Sequence, residues 1–195
     1  TRDAPWKLLG EPSQRYHVEN FREALDAPGE WFLDRDGTLL YKPLPGEDPA
    51  TAEVIAPATE TFVKLAGEPT LGLYVEHVAL RGLAFRHAQY ILPPNGHADG
   101  QAEVTIPAVI MANGARHIAI EDCEVSRIGT YAVWFHSGCE DCRVVRCYLH
   151  DLGAGGVKIG QGWANDSPRP PDLTSHITVD NCIIQSGGHL FPGAV

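Results

Sequence analysis

No apolar run in this chain approaches the length needed to cross a bilayer, so a transmembrane helix is not expected. Positive charge is scarce: 15 Lys and Arg stand against 25 Asp and Glu, and a net charge of −10 leaves no broad basic face for a nucleic acid. The same balance makes a strongly anionic polysaccharide a less natural ligand, unless a local basic patch overrides it. The opening TRDAPWKLLG has neither a signal-peptide apolar region nor an initiator Met, so the chain reads as an excised or processed piece and secretion stays open. After residue 50 no long segment repeats every 3.6 residues, so helices do not organise the fold. Cys139 and Cys142 make one C-x-x-C with no second pair to complete a zinc site. GAGGVKIG has a Lys but neither the Gly-Lys-Ser/Thr ending nor the following helix of a phosphate loop.

What the chain does have is a repeat. HIAIEDCEVSRIGTYAVWFHSGCE, from His117, and DCRVVRCYLHDLGAGGVKIGQGWA, from Asp141, align at a spacing of 24: Ile120 with Val144, Cys123 with Cys147, Val125 with Leu149, Ile128 with Leu152, Gly129 with Gly153, Val133 with Val157, Phe135 with Ile159. Alternation inside a period of this length is the signature of a solenoid whose coils bury each other's inner faces. HVALRGLAF upstream and HITVDNCII downstream extend the register, with intervals of 40 (Leu83 to Cys123), 24 (Cys123 to Cys147) and 35 (Cys147 to Cys182). The added residues fall in the polar segments LPPNGHADGQ and GWANDSPRPP, which read as loops leaving a coil at its corner. The 20 glycines and 15 prolines suit such a turn-rich β protein.

The 195 residues suggest one domain, or one with an appendage. Residues 1–50 fall outside the coil pattern. Their Asp36–Gly37 pair predicts a hairpin between strands at Trp31 to Leu33 and Thr38 to Tyr41, and VENFREALDAPG allows one short helix. This segment is expected to be a β-rich cap. Residues 51–195 then form an all-β, right-handed parallel β-helix with three strands per coil. Val109, eight residues before His117, is expected to match Val133, eight before Asp141. Ala194 and Val195 are expected to match Ala132 and Val133, so that the chain stops at the start of a strand. The face of Val179, Cys182 and Ile184 is then uncovered and open to self-association. Cys123, Cys147 and Cys182 share the inward ladder with Leu83, where parallel side chains about 4.8 Å apart are badly aimed for a disulfide, so all five cysteines are expected to be free thiols.

With this register in view, PGEWFLDRDGTLLYKPLPGED, HDLGAGGVKIG and SGGHLFPGAV resemble the amino-terminal half of right-handed β-helix glycoside hydrolases of family 141. No cofactor is expected; the resemblance implies a carbohydrate partner, activity on plant cell-wall polysaccharides as fucosidases or xylanases, and a secreted or periplasmic location. It also implies that the catalytic acid pair lies in later coils, since neither member matches a residue here.

Alternation sends Arg86 and His87, Ser126 and Arg127, His150 and Asp151, and Gln185 and Ser186 to equivalent outward places, and Trp134, His136 and Lys158 outward on the next strand. Arg127, Trp134, His136, His150 and Lys158 are the candidate sugar-binding wall; the ordinary account is a solvated sheet face. His150 with Asp151 is the candidate acid–base pair, against which stands a turn-forming Asp. His77, His117, Asp141 and His176 form a second strip, either metal ligands or a polar corner repeated in each coil, and a resident metal is not expected. The function expected is part of a carbohydrate-active hydrolase that is inactive alone. The alternatives are a non-catalytic carbohydrate-binding or cell-surface module and a purely structural repeat domain.

Overall fold

A computed structural model describes Val18 and residues 20–94, 96–97, 101–161 and 170–194. The chain divides into two compact units, Trp6–Ile55 and one built on Ala56–Val195.

In the smaller unit, β1 (Trp31–Leu33) and β2 (Leu39–Tyr41) pair antiparallel with Trp31 opposite Tyr41. The turn closes because the Gly37 N–H donates to the Asp34 carbonyl at 3.0 Å, with Gly37 at φ +89°, and the Thr38 N–H donates to the Asp36 carboxylate at 2.8 Å. The short helix allowed upstream is a single 3-10 turn at Arg22–Ala24.

The larger unit repeats. A first passage gives β3 (Val63–Ala66), β4 (Val75–Glu76), β5 (Ala79–Arg81) and β6 (Ala84–Ala88). The second gives β7 (Ala108–Asn113), β8 (Ala115–Arg116), β9 (Ala119–Glu121) and β10 (Glu124–Ile128). Then come β11 (Tyr131–Phe135), β12 (Arg143–Val145), β13 (Tyr148–Leu152), β14 (Val157–Ile159), β15 (Thr178–Asp180) and β16 (Ile183–Gln185). Successive long strands enter different sheets, and each pairs in parallel with its counterpart one repeat away. The result is three four-stranded sheets, ordered β3-β7-β11-β14, β5-β9-β12-β15 and β6-β10-β13-β16. The fold is all-β and β-helix-like, and among the described residues no helix is long and apolar enough to cross a membrane.

The registers are those of the repeat. Ile120 lies between Leu80 and Val144, and Val144 pairs with Val179. Val125 lies between Phe85 and Leu149, and Leu149 pairs with Ile184. The cysteine row stacks in the expected order: the Glu124 N–H donates to Leu83, Tyr148 to Cys123 and Ile183 to Cys147. Cys123 and Cys147 are buried, while Leu83 and Cys182, at the two ends of the row, are not. Val144 and Leu149 are fully buried between neighbours on both sides, whereas Val179 and Ile184, with a paired strand on one side, are 41% and 47% exposed.

Simple alternation does not account for the inward positions, and left-handed residues explain why. Ile118 and Ile120 face inward and are fully buried; Asp122 has φ +54°, and Cys123 faces inward again. One left-handed residue turns the corner and shifts the in–out phase by one. The same conformation recurs in three rows: His77, His117, Asp141 and His176; Gly82, Asp122, Arg146 and Asn181; His87, Arg127, Asp151 and Ser186. Gly, Asn, Asp and His tolerate this region best, which accounts for most of the set and for the histidine strip seen in the sequence.

Two expectations are corrected. Val133 pairs with Ile110, not Val109. Phe135 and Ala112 pair 23 residues apart but Arg116 and Glu140 pair 24 apart, so the extra residue is absorbed in the corner around Gly138. Pro192–Ala194 is a 3-10 turn rather than the start of a strand, with the Ala194 N–H donating to Phe191; Val195 and residues 162–169 of the second polar segment lie outside the described residues.

Candidate functional site

The outer face of the β6-β10-β13-β16 sheet collects a hydrogen-bonded group of polar side chains. Val125, Leu149 and Phe85 turn into the core, so the residues between them turn out: Arg86, Glu124, Ser126, Tyr148, His150 and Gln185. Arg86 holds Glu124 through a two-pronged contact, with Nε to Oε1 at 2.8 Å and a second contact from Nη2 to Oε2. The Ser126 hydroxyl donates to the same carboxylate at 2.8 Å, and His150 Nε2 stands 3.3 Å from Oε1. The Arg86 hydrogen bonds above all, helped by Ser126, lower the Glu124 carboxyl to about 2. Glu124 is therefore an ionised acceptor at neutral pH, a poor proton donor. The Tyr148 ring stacks on His150 with centroids 4.0 Å apart, and Gln185 Nε2 donates to the Tyr148 hydroxyl at 2.7 Å.

The sequence-predicted residues lie in two groups. His150 belongs to this face. Arg127 is exposed at the adjoining left-handed corner. Asp151 occupies the equivalent corner one repeat on, where its carboxylate is 3.5 Å from His189 Nε2. Asp151, still within β13, is itself the left-handed residue, so the two side chains diverge: His150 addresses Glu124 and Asp151 addresses His189.

Trp134 and Lys158 lie on the β3-β7-β11-β14 sheet, where they pair, and His136 follows directly after the end of β11. Trp134 points out of the coil but is only 7% exposed, in a second apolar cluster with Ile106, Tyr131 and Phe191. The Lys158 ammonium lies 3.4 Å from the Trp134 ring centroid and 4.5 Å from that of Tyr131, and donates to the carbonyls of Val104 at 3.0 Å and Ile106 at 2.5 Å. His136 meets Trp134 edge-on at 4.5 Å, and its Nδ1 is 3.1 Å from Asn113 Oδ1; burial, then the Lys158 charge, lowers its pKa. The five residues therefore do not line one open wall.

Sequence reasoning missed Glu124 and Tyr148. Their signal was alternation: both stand directly after a ladder cysteine, between two inward positions.

At the His77 corner, ligand atoms of Glu140, Asp141 and His176 lie within 4.8 Å of one another and are largely exposed. Glu140 also contacts Arg116 Nε at 3.4 Å, and Asp141 stands 3.9 Å from His117.

No family model matches the chain, and no curated protein matches it. Among solved structures it is similar to one named glycoside hydrolase, with a TM-score of 0.80 and 23% identity. The alignment covers 88% of this chain and 35% of that one, so the chain spans about a third of that neighbour's length. The likeness is one of fold: this chain has a glycoside hydrolase-like scaffold of parallel β-sheets.

Proposed function

We propose that this chain is part of a carbohydrate-active, right-handed β-helix protein of three-strand coils, a glycoside hydrolase acting on plant cell-wall polysaccharide outside the cytoplasm. In this reading the chain by itself binds sugar and does not cleave it. The observation that carries the proposal is the face around Glu124, where one carboxylate, one guanidinium, one hydroxyl and two amphipathic rings converge. Planar groups suit the C–H surfaces of a pyranose, and the fixed acceptor and donors suit its hydroxyls. Glycosidases work with two carboxylates flanking the scissile bond. Of the two carboxylates on these four strands, Glu124 is already ionised and tied to Arg86, and Asp151 stands apart at the left-handed corner against His189. That same fact favours a second reading, a non-catalytic carbohydrate-binding module.

The test is calorimetry with neutral xylan-derived and fucose-containing plant cell-wall oligosaccharides, together with a reducing-end assay. The expected result is weak binding, lost in Tyr148→Ala, with no release of reducing ends. Turnover that persists in Glu124→Gln but vanishes in Asp151→Asn would overturn the assignment of this face and move the chemistry to the His150–Asp151 corner.

A further inference from the structure

A different sheet carries a groove that is basic against the charge of the whole chain. Outward residues of β5, β9 and β12 and the corner before them border a shallow, open groove of about 280 Å³, whose lining includes His77, Ala79, Arg81, His117, Ala119 and Arg143. That is close to the lower end, roughly 300 Å³, of ligand pockets, which limits it to one small unit. Ala79 and Ala119 pair in register and each carries only a methyl group; Ala79 is exposed, while Ala119, 3% exposed, lies at the bottom of the groove. The His77 and His117 rings stack at 4.7 Å and 9°, and line the groove beside this floor.

The charge is set by Glu121. Arg81 donates through Nε to its Oε2 at 2.6 Å, and Arg143 through Nε to its Oε1 at 2.7 Å. Hydrogen bonds from Arg143 and then Arg81 lower the Glu121 carboxyl, so it is ionised and offsets one of the two cations; Asp122, held by Arg146, also interacts with the Arg81 charge, and Asp141 stands 3.9 Å from His117. Each guanidinium has five N–H donors and gives one here; among the described residues, neither Arg81 nor Arg143 has another hydrogen-bond acceptor. Glu121 thus orients two planar forks and leaves their terminal N–H groups for a ligand. A fork of this kind matches a planar carboxylate.

We infer that this groove binds the carboxylate of a uronic-acid residue, with the Arg81 and Arg143 forks on the acid and the methyl floor of Ala79 and Ala119 under the sugar ring. The saccharide half rests on the carbohydrate reading above; the acid half rests on the groove alone.

The experiment titrates the protein, with chemical-shift mapping and calorimetry, against galacturonate oligomers, uncharged galactose oligomers and inorganic sulfate. Galacturonate oligomers should shift the β5, β9 and β12 amides, and the Arg81→Gln/Arg143→Gln double variant should weaken them by about tenfold or more. Ala119→Leu, which fills the floor and keeps every charge, should weaken them too; circular dichroism and thermal unfolding establish that each variant folds. Equal affinity for charged and uncharged oligomers, or an unchanged double variant, overturns the inference. Sulfate binding as tightly as the oligomers overturns its saccharide half. Loss of neutral-sugar binding in Tyr148→Ala with an inert groove leaves the proposed function standing and removes this site. Uronate binding in the groove with no neutral-sugar binding anywhere does the reverse.

Discussion

Gly153 stacks on Gly129 so closely that a Cβ on Gly153 would lie 2.2 Å from the Gly129 carbonyl oxygen. The pair sits where the chain leaves the β6-β10-β13-β16 sheet, and the Gly153 N–H donates to Ile128 at 2.7 Å. Backbone meets backbone here, so no side chain can move to relieve a clash. Gly153→Ala should lower stability by about 1–3 kcal/mol, the range for overpacking a tight site. The check is urea unfolding, and a change under a few tenths of a kcal/mol would contradict this stacking.

Arg127 is exposed at φ +53°, and its side chain has no hydrogen-bond partner among the described residues. Left-handed backbone costs a residue with a Cβ roughly 1–2 kcal/mol, part of which glycine gives back through its freer unfolded chain. Arg127→Gly should therefore stabilise by about 0.5–1 kcal/mol, and Arg127→Val, β-branched, should destabilise. The same urea series measures both, and the two must move in opposite directions.

Glu124 links charge to stability. Its carboxyl is lowered from 4.5 to about 2, so the folded state favours the ionised form more than the unfolded chain does. That stabilisation is complete above the unfolded value and is lost as pH falls from about 4.5 to about 2. Glu124→Gln should flatten this limb of the stability curve and leave its shape near neutrality unchanged. Acid titration of the melting temperature for both proteins is the readout.

Burial pushes the Cys139 and Cys147 thiols up to about 11, and raises Cys142 as well. All five cysteines are free, and Cys182 is the least buried of them. A thiol reagent near pH 8 should label Cys182 first and the others only slowly, because the thiolate is the nucleophile. In denaturant, without reductant, all five should react; two fast labels in the native state, or a bridged pair, would count against the inward ladder.

The sequence by itself determined the repeat, the inward rows and the parallel registers apart from that of β7 on β11, because Ile120 over Leu80 and Val125 over Phe85 need only a period and an apolar side chain. It also specified the corners, since His, Asp, Asn and Gly at fixed intervals are residues that accept left-handed backbone. Tertiary structure alone decided what each outward side chain meets. Glu124 finds Arg86 across 38 residues, and Lys158 finds the Val104 and Ile106 carbonyls across more than 50. The segment that carries those carbonyls has no period, so nothing local announces that it covers Trp134. The Arg81–Glu121–Arg143 arrangement was hidden for the same physical reason: outward positions are not constrained by the core, and their chemistry exists only once three passages of the chain lie side by side.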